Sequence, residues 1–192
     1  MPNLRPFRDY DEHDVINLFS VLDQSDMSKG TLLKLSSGWS NTAEPFGDTQ
    51  DVAGSSSYVG KAVSNRYVVS AKVAVCGSGD APLGIALFDV KENDENGEKL
   101  LFNPRKAAEM QVVISGQAMP IATRGMFLIS GATLTSEEVT INSGLYADSN
   151  GEISPLPGSK IKIGSALGSK DAQDYVLIKL DCDPTRKIDG SN

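Results

Sequence analysis

Histidine, cysteine and aromatic residues are scarce in this chain, and each scarcity removes a class of chemistry. The one histidine, His13, stands beside Asp9, Asp11, Glu12 and Asp14 in a polar N-terminal stretch. A Ser-His-Asp or Cys-His arrangement needs its histidine on a rigid scaffold within hydrogen-bond reach of the nucleophile, so no catalytic residue is assigned and no enzyme is expected. The two cysteines, Cys76 and Cys182, are far apart and show neither Cys-x-x-Cys nor histidine-paired spacing. Two reduced, inert thiols are therefore expected, with no zinc or other metal site and no cofactor. Basic charge is also short: 18 Lys and Arg against 25 Asp and Glu give a net charge of −7. Phosphate backbones demand a local excess of Lys and Arg, so nucleic acid is not an expected partner. Met1-Pro-Asn-Leu-Arg-Pro-Phe-Arg lacks the apolar stretch of a signal peptide, and no run approaches the roughly 18 apolar residues that span a bilayer. A soluble protein made in a cytoplasm, with no membrane partner, is the expectation.

What the chain does have is glycine, 18 residues of it, with abundant Val, Ile, Leu, Ser and Thr. Such a composition builds short strands joined by tight turns and predicts an all-β fold. Residues 1–14 carry two prolines, two arginines and little apolar content, and read as an extended N-terminal arm that needs a surface to lie on. Residues 15–183 form the β-rich domain, and 184–192 a polar tail. Within Asp14-Val-Ile-Asn-Leu-Phe-Ser-Val-Leu the apolar residues fit helical spacing as well as strand alternation. The turn-forming Asp23-Gln-Ser-Asp and the run Lys29-Gly-Thr-Leu-Leu-Lys-Leu that follow favour strand. Residues 36–57, rich in Gly, Ser, Asn and Pro, read as a long surface loop. Strands are expected in Arg66–Cys76 and Leu83–Val90, separated by a turn at Gly77-Ser-Gly-Asp-Ala-Pro. Further strands are expected at Gln111–Ser115, Ala118–Thr123, Gly125–Ser130, Lys160–Gly164 and Tyr175–Leu180. Asn103-Pro104 caps and opens one short helical turn over Arg105–Met110. Asn150-Gly151 supplies the positive φ of a type I′ hairpin turn between Leu145-Tyr-Ala and Glu152-Ile-Ser.

Two stretches invite a chemical reading. Glu92-Asn-Asp-Glu-Asn-Gly-Glu has the acidic content of a calcium loop, but neither its spacing nor its flanks match an EF-hand, and a solvated loop is expected. Gly77-Ser-Gly-Asp lacks the Gly-Lys-Ser/Thr ending of a phosphate loop and precedes a strand, so it reads as a hairpin turn. Leu83-Gly-Ile-Ala-Leu and Ile163-Gly-Ser-Ala-Leu share an apolar-Gly-x-Ala-Leu pattern. A glycine inside a strand marks a bulge or a close backbone approach. Five residues do not establish an internal repeat, and two unrelated core strands fit them as well.

Three blocks carry a resemblance: Leu4-Arg-Pro-Phe-Arg-Asp-Tyr-Asp-Glu-His-Asp-Val-Ile-Asn-Leu-Phe, Asn103-Pro-Arg-Lys-Ala-Ala-Glu-Met-Gln-Val-Val-Ile-Ser-Gly-Gln-Ala and Pro120-Ile-Ala-Thr-Arg-Gly. They resemble virion structural proteins of tailed phages, and most of all the capsid decoration, or cement, proteins. The resemblance implies a compact β-barrel or β-tulip domain on the outer surface of the phage head, commonly a homotrimer. Its arm would reach over the major capsid protein and bridge its subunits. Leu4, Phe7 and Tyr10 are then apolar anchors of the arm, with Arg5 and Arg8 for partner carboxylates. Trp39 and Phe46, in the long loop, are the other candidate contact residues, and a glycan-binding module centred on Trp39 is the alternative function. An enzyme built on paired carboxylates is not excluded by spacing alone.

Overall fold

Side-chain alternation writes the longest strands directly. In Tyr175-Val-Leu-Ile-Lys-Leu-Asp, Val176, Ile178 and Leu180 are buried while Lys179 between them is exposed. That is the period of two that a strand with one covered face imposes. The computed structural model describes residues 4–6, 14–16, 19–21, 27–37, 72–114, 117–130, 134–135, 137–157, 160–183 and 185. In these, the strands are β1 (Leu4–Pro6), β2 (Val15–Ile16), β3 (Ser20–Val21), β4 (Leu32–Ser37), β5 (Lys72–Val75), β6 (Pro82–Ala86), β7 (Asp89–Val90) and β8 (Val112–Val113). They continue as β9 (Ile121–Ala122), β10 (Arg124–Ser130), β11 (Gly144–Ala147), β12 (Ile153–Ser154), β13 (Lys162–Ala166) and β14 (Tyr175–Asp181). One α-helix, α1 (Pro104–Glu109), opens on Pro104, with the Asn103 side chain accepting from the Lys106 amide at 3.4 Å.

The strands form two curled half-barrel sheets and a small ribbon. The first sheet runs β1-β10-β14-β13-β11-β12, antiparallel throughout. The second runs β2-β9-β6-β4-β5-β3, antiparallel except for the β3–β5 pair. Parallel β7 and β8 make the ribbon. The fold is an all-β, barrel-like domain. Thr123 alone separates β9 from β10, so the chain passes from one sheet to the other there without a loop.

Two cores follow from this layout. Between the sheets, Leu32, Cys76, Ile85 and Ala122 of the second sheet meet Phe127, Ile129, Leu145, Ile153, Ile163, Ile178 and Leu180 of the first. On the far face of the second sheet, Leu33, Val73, Leu83, Ala86 and Ile121 pack under Phe19, Val21, Met27, Val90, Val113 and Met119. The second sheet is thus buried on both faces, and all five residues of β6 are buried.

The positions expected for strands and turns agree with this layout, with a few shifts. The Asn150-Gly151 hairpin has φ of 59° and 73° at its two central residues, and the Glu152 amide donates to the Ser149 carbonyl at 3.2 Å. The loop expected from residue 36 starts later, since β4 runs through Ser37; residues 38–57 lie outside the described residues. Of the strand expected over Arg66–Cys76, β5 holds Lys72–Val75, and residues 66–71 lie outside the described residues.

Both glycines of the apolar-Gly-x-Ala-Leu pattern sit where a neighbouring strand presses in. A Cβ on Gly84 would run into the Ala122 carbonyl oxygen, and one on Gly164 into the Lys179 carbonyl oxygen. Backbone atoms cannot swing aside as a side-chain tip can. Gly84→Ala and Gly164→Ala are each expected to lower stability by ~3 kcal/mol through overpacking. Gly168, with nothing within 4 Å of its would-be Cβ, is the control, and Gly168→Ala should shift stability by less than ~1 kcal/mol. Urea unfolding of the three variants measures the contrast.

Candidate partner-binding edge

The N-terminal stretch is tied to the domain at two points. Leu4, Arg5 and Pro6 pair antiparallel with Ile129, Leu128 and Phe127, which makes β1 the edge of the first sheet. Proline lacks an amide donor and is tolerated at such an edge. The chain is held again at Asp14, whose carbonyl accepts from the Thr123 amide at 2.8 Å and the Thr123 hydroxyl at 3.1 Å. Thr123 directly precedes β10, so Pro6 and Asp14 are both held along the same stretch of chain, at Phe127 and at Thr123. Of the expected contact residues, Leu4 and Arg5 stand in β1. Phe7, Arg8, Tyr10, Trp39 and Phe46 lie outside the described residues, as does His13.

Beyond the last β1 pair, the start of β10 and the end of β14 line an open cleft of about 610 Å³ with Asp14, Arg124, Gly125, Met126, Lys179, Leu180 and Asp181. Arg124 faces Asp181 in the β10–β14 register, and its Nε donates to Asp181 Oδ1 at 2.9 Å. That pair is solvent-exposed, with 68% and 40% of the side-chain surfaces accessible, and such pairs contribute at most about 1 kcal/mol. Truncating a core residue costs ~2–5 kcal/mol, so the strand pairing and the core, not this ion pair, hold β10 against β14, and the pair sets only the polarity of the cleft. Sequence reading did not single out Arg124, Lys179 or Asp181. The one sign of them is a charge that opens β10 and one that ends β14, and only the long-range register brings the two charges together.

The acidic stretch after β7 is the expected exposed loop except at one residue, Asp94, which is buried. Asp94 is no solvated side chain: it is inaccessible, and its Oδ1 accepts from the Asn96 and Glu98 amides at 2.8 Å each. Its Oδ2 is paired with Lys106 Nζ of α1. The carboxylate therefore closes a turn and pins the helix, and an ammonium fills the place a cation would take. Among the described residues no group of three or more His, Cys, Asp or Glu side chains is placed to hold a metal ion. Cys76 lies in the inter-sheet core, where burial first, and then the Asp80 carboxylate, push its pKa up to about 12. At neutral pH it is a thiol and not a nucleophilic thiolate.

Two more lysine–carboxylate pairs fasten turns: Lys34 to Asp80 at 2.7 Å, and Lys160 to Asp148 at 2.5 Å. Asp80 also accepts from the Gly77 amide at 2.7 Å. No protein-family model, curated protein or solved structure matches the chain.

Hydrogen bonds from the lysines hold the Asp80, Asp94 and Asp148 carboxyls below their usual range, with smaller help from backbone amides. A depressed carboxyl stabilises the fold above its unfolded pKa of about 3.9, and that contribution disappears as pH falls through the lower folded value. The thermal midpoint is therefore expected to fall as pH drops below ~4. Asp94→Asn should flatten that acid dependence while lowering the midpoint at pH 7. Circular dichroism melts from pH 7 to pH 2 decide it, and an acid profile of Asp94→Asn as steep as the parent's would refute the role given to Asp94.

Proposed function

We propose that this chain is a non-enzymatic virion structural protein of the capsid decoration type. It binds the outer surface of a phage head and stabilises the shell by bridging major capsid protein subunits. The observation that carries the reading is the double tether of the N-terminal stretch, with Leu4–Pro6 laid on β10 and Asp14 bonded to Thr123. The three sequence blocks that resemble decoration proteins support it, and the first of them runs through this stretch.

The physics of a tethered segment suits the task. A free arm loses its full chain entropy on docking, whereas a short segment held at both ends has already lost much of it. Phe7 and Tyr10 then contribute apolar burial, and Arg8 a guanidinium for a carboxylate on the partner. A homotrimer repeats this contact three times on one lattice site, and linked contacts of modest strength add to a tight clamp. Trp39 and Phe46 are the second set of contact residues in the same reading.

Cosedimentation with undecorated heads tests the proposal. Phe7→Ala with Tyr10→Ala is expected to weaken attachment at least ~10-fold, as loss of two aromatic anchors does at protein interfaces, and to leave the circular dichroism spectrum and thermal midpoint unchanged. This pair keeps β1 in place, which deletion of residues 1–13 does not. Attachment equal to that of the parent chain would overturn the assignment of the arm. Failure of the parent chain itself to bind heads would overturn the function.

A further inference from the structure

We infer that the domain is an internal tandem duplication: β2, β4, β5, β6 and β9 form one unit, β10–β14 form a second, and the second is docked head to tail on the first. Chain order and spatial order agree strand for strand. The first unit lies in the sheet as β5-β4-β6-β9-β2 and the second as β12-β11-β13-β14-β10. In each, the first strand of the unit takes the end position beside the last.

The registers agree residue for residue. Leu33 faces Gly84 and the next residue, Lys34, faces Pro82, so Leu83 bulges; Leu145 faces Gly164 and Tyr146 faces Lys162, so Ile163 bulges. The glycine after each bulge meets the carbonyl of the same position on the next strand, Ala122 or Lys179. Ile85 and Ala86 pair with Ala122 and Ile121 as Ser165 and Ala166 pair with Lys179 and Ile178. Val15 and Ile16 pair with Ala122 and Ile121 as Met126 and Phe127 pair with Lys179 and Ile178. Connections outside the strands follow the same scheme. The Ala86 carbonyl accepts from Gly30 and the Ala86 amide donates to Thr31, as Ala166 does with Asn142 and Ser143. Gly30 and Asn142 both have positive φ, 91° and 65°. Asp80 donates to Gly77 as Lys160 does to Pro157, and Leu87 to Pro120 as Leu167 does to Leu177. A shared strand order alone would fix neither the bulge, nor the turn, nor the positive φ.

Burial gives the direction of stacking. Leu33, Val73, Leu83, Ala86 and Ile121 line the outer core of the first unit, and their counterparts Leu145, Ile153, Ile163, Ala166 and Ile178 line the core between the units. The opposite face of the first unit, with Leu32, Cys76, Ile85, Leu87 and Ala122, lies in that shared core. In the second unit the matching positions are Gly144, Leu156, Ser165, Leu167 and Lys179, of which Leu156, Leu167 and Lys179 are exposed. One face of the second unit therefore occupies the opposite face of the first. The same face of the second unit has become partly polar, which closes the stack to a third copy. Residues 88–119 form an insertion in the first unit, since the second unit joins β13 to β14 directly through 167–174. In repeat scaffolds such insertions collect on binding faces, and 88–119 carries Phe102, exposed over 80% of its surface.

Amide exchange by NMR on the intact chain tests the duplication. The sequence of slow and fast amides through residues 73–87 is expected to recur in step through 153–167, with Ala86 and Ala166, and Leu87 and Leu167, among the slow ones. Patterns out of step by a residue would overturn it. As an independent check, Ile163→Leu with Ser165→Ile places the first unit's residues at the matched positions. A midpoint within ~6 °C of the parent supports the match, since Ile-to-Leu exchange nearly conserves volume and Ser165 lies on the partly exposed face of β13, where substitutions cost little; loss of the cooperative transition would overturn it.

Discussion

Two carbonyl oxygens, those of Ala122 and Lys179, approach the neighbouring strand so closely that only glycine fits beneath them. Gly84 and Gly164 fill these places, and each follows a bulged residue that raises the local twist and bends its strand. The curl of both sheets depends on that bend. With flat sheets, Phe127, Ile153 and Ile178 could not converge on Leu32 and Ile85 in one core. The glycines are thus the point where a backbone requirement becomes tertiary shape.

Much of the architecture was legible because it is local. Alternation at Tyr175–Asp181, the Asn103-Pro104 helix start and the Asn150-Gly151 hairpin each rest on a few adjacent residues whose own φ, capping or period sets the outcome. The burial of Asp94 was not legible because one of its partners is remote: Lys106 arrives from a helix twelve positions away, and an acidic run gives no sign of it. Leu4–Pro6, in the stretch read as an arm, form an edge strand of the domain's own first sheet. What the composition does not reveal is that the open edge of β10 lies within reach of that stretch.

The duplication was the least legible feature, for a physical reason. The first unit is covered on both faces and the second on one, so the face that is core in the first unit is open in the second and side chains diverge at matched positions: Leu32 against Gly144, Ile85 against Ser165, Ala122 against Lys179. Only positions constrained by backbone geometry, or buried in both settings, keep their identity. Gly, Ala and Leu of the shared pattern are such positions, except that the final leucine is buried at Leu87 and exposed at Leu167. A backbone can therefore be repeated with little sequence trace beyond the glycine and its neighbours.

Thr123 joins these features. Its amide and hydroxyl hold Asp14 at the end of the N-terminal stretch, and its carbonyl accepts from the Cys182 amide just past β14. It is also the single residue between the last strand of the first unit and the first strand of the second. Under the proposed function, a load applied to residues 7–13 enters at Pro6 and at Asp14 and is shared at once by both sheets. At Pro6 it meets the β1–β10 ladder, and at Asp14 it meets hydrogen bonds backed by two packed cores. At the inner tether the load passes through Thr123 into β9 and β10 together, and so into one strand of each sheet.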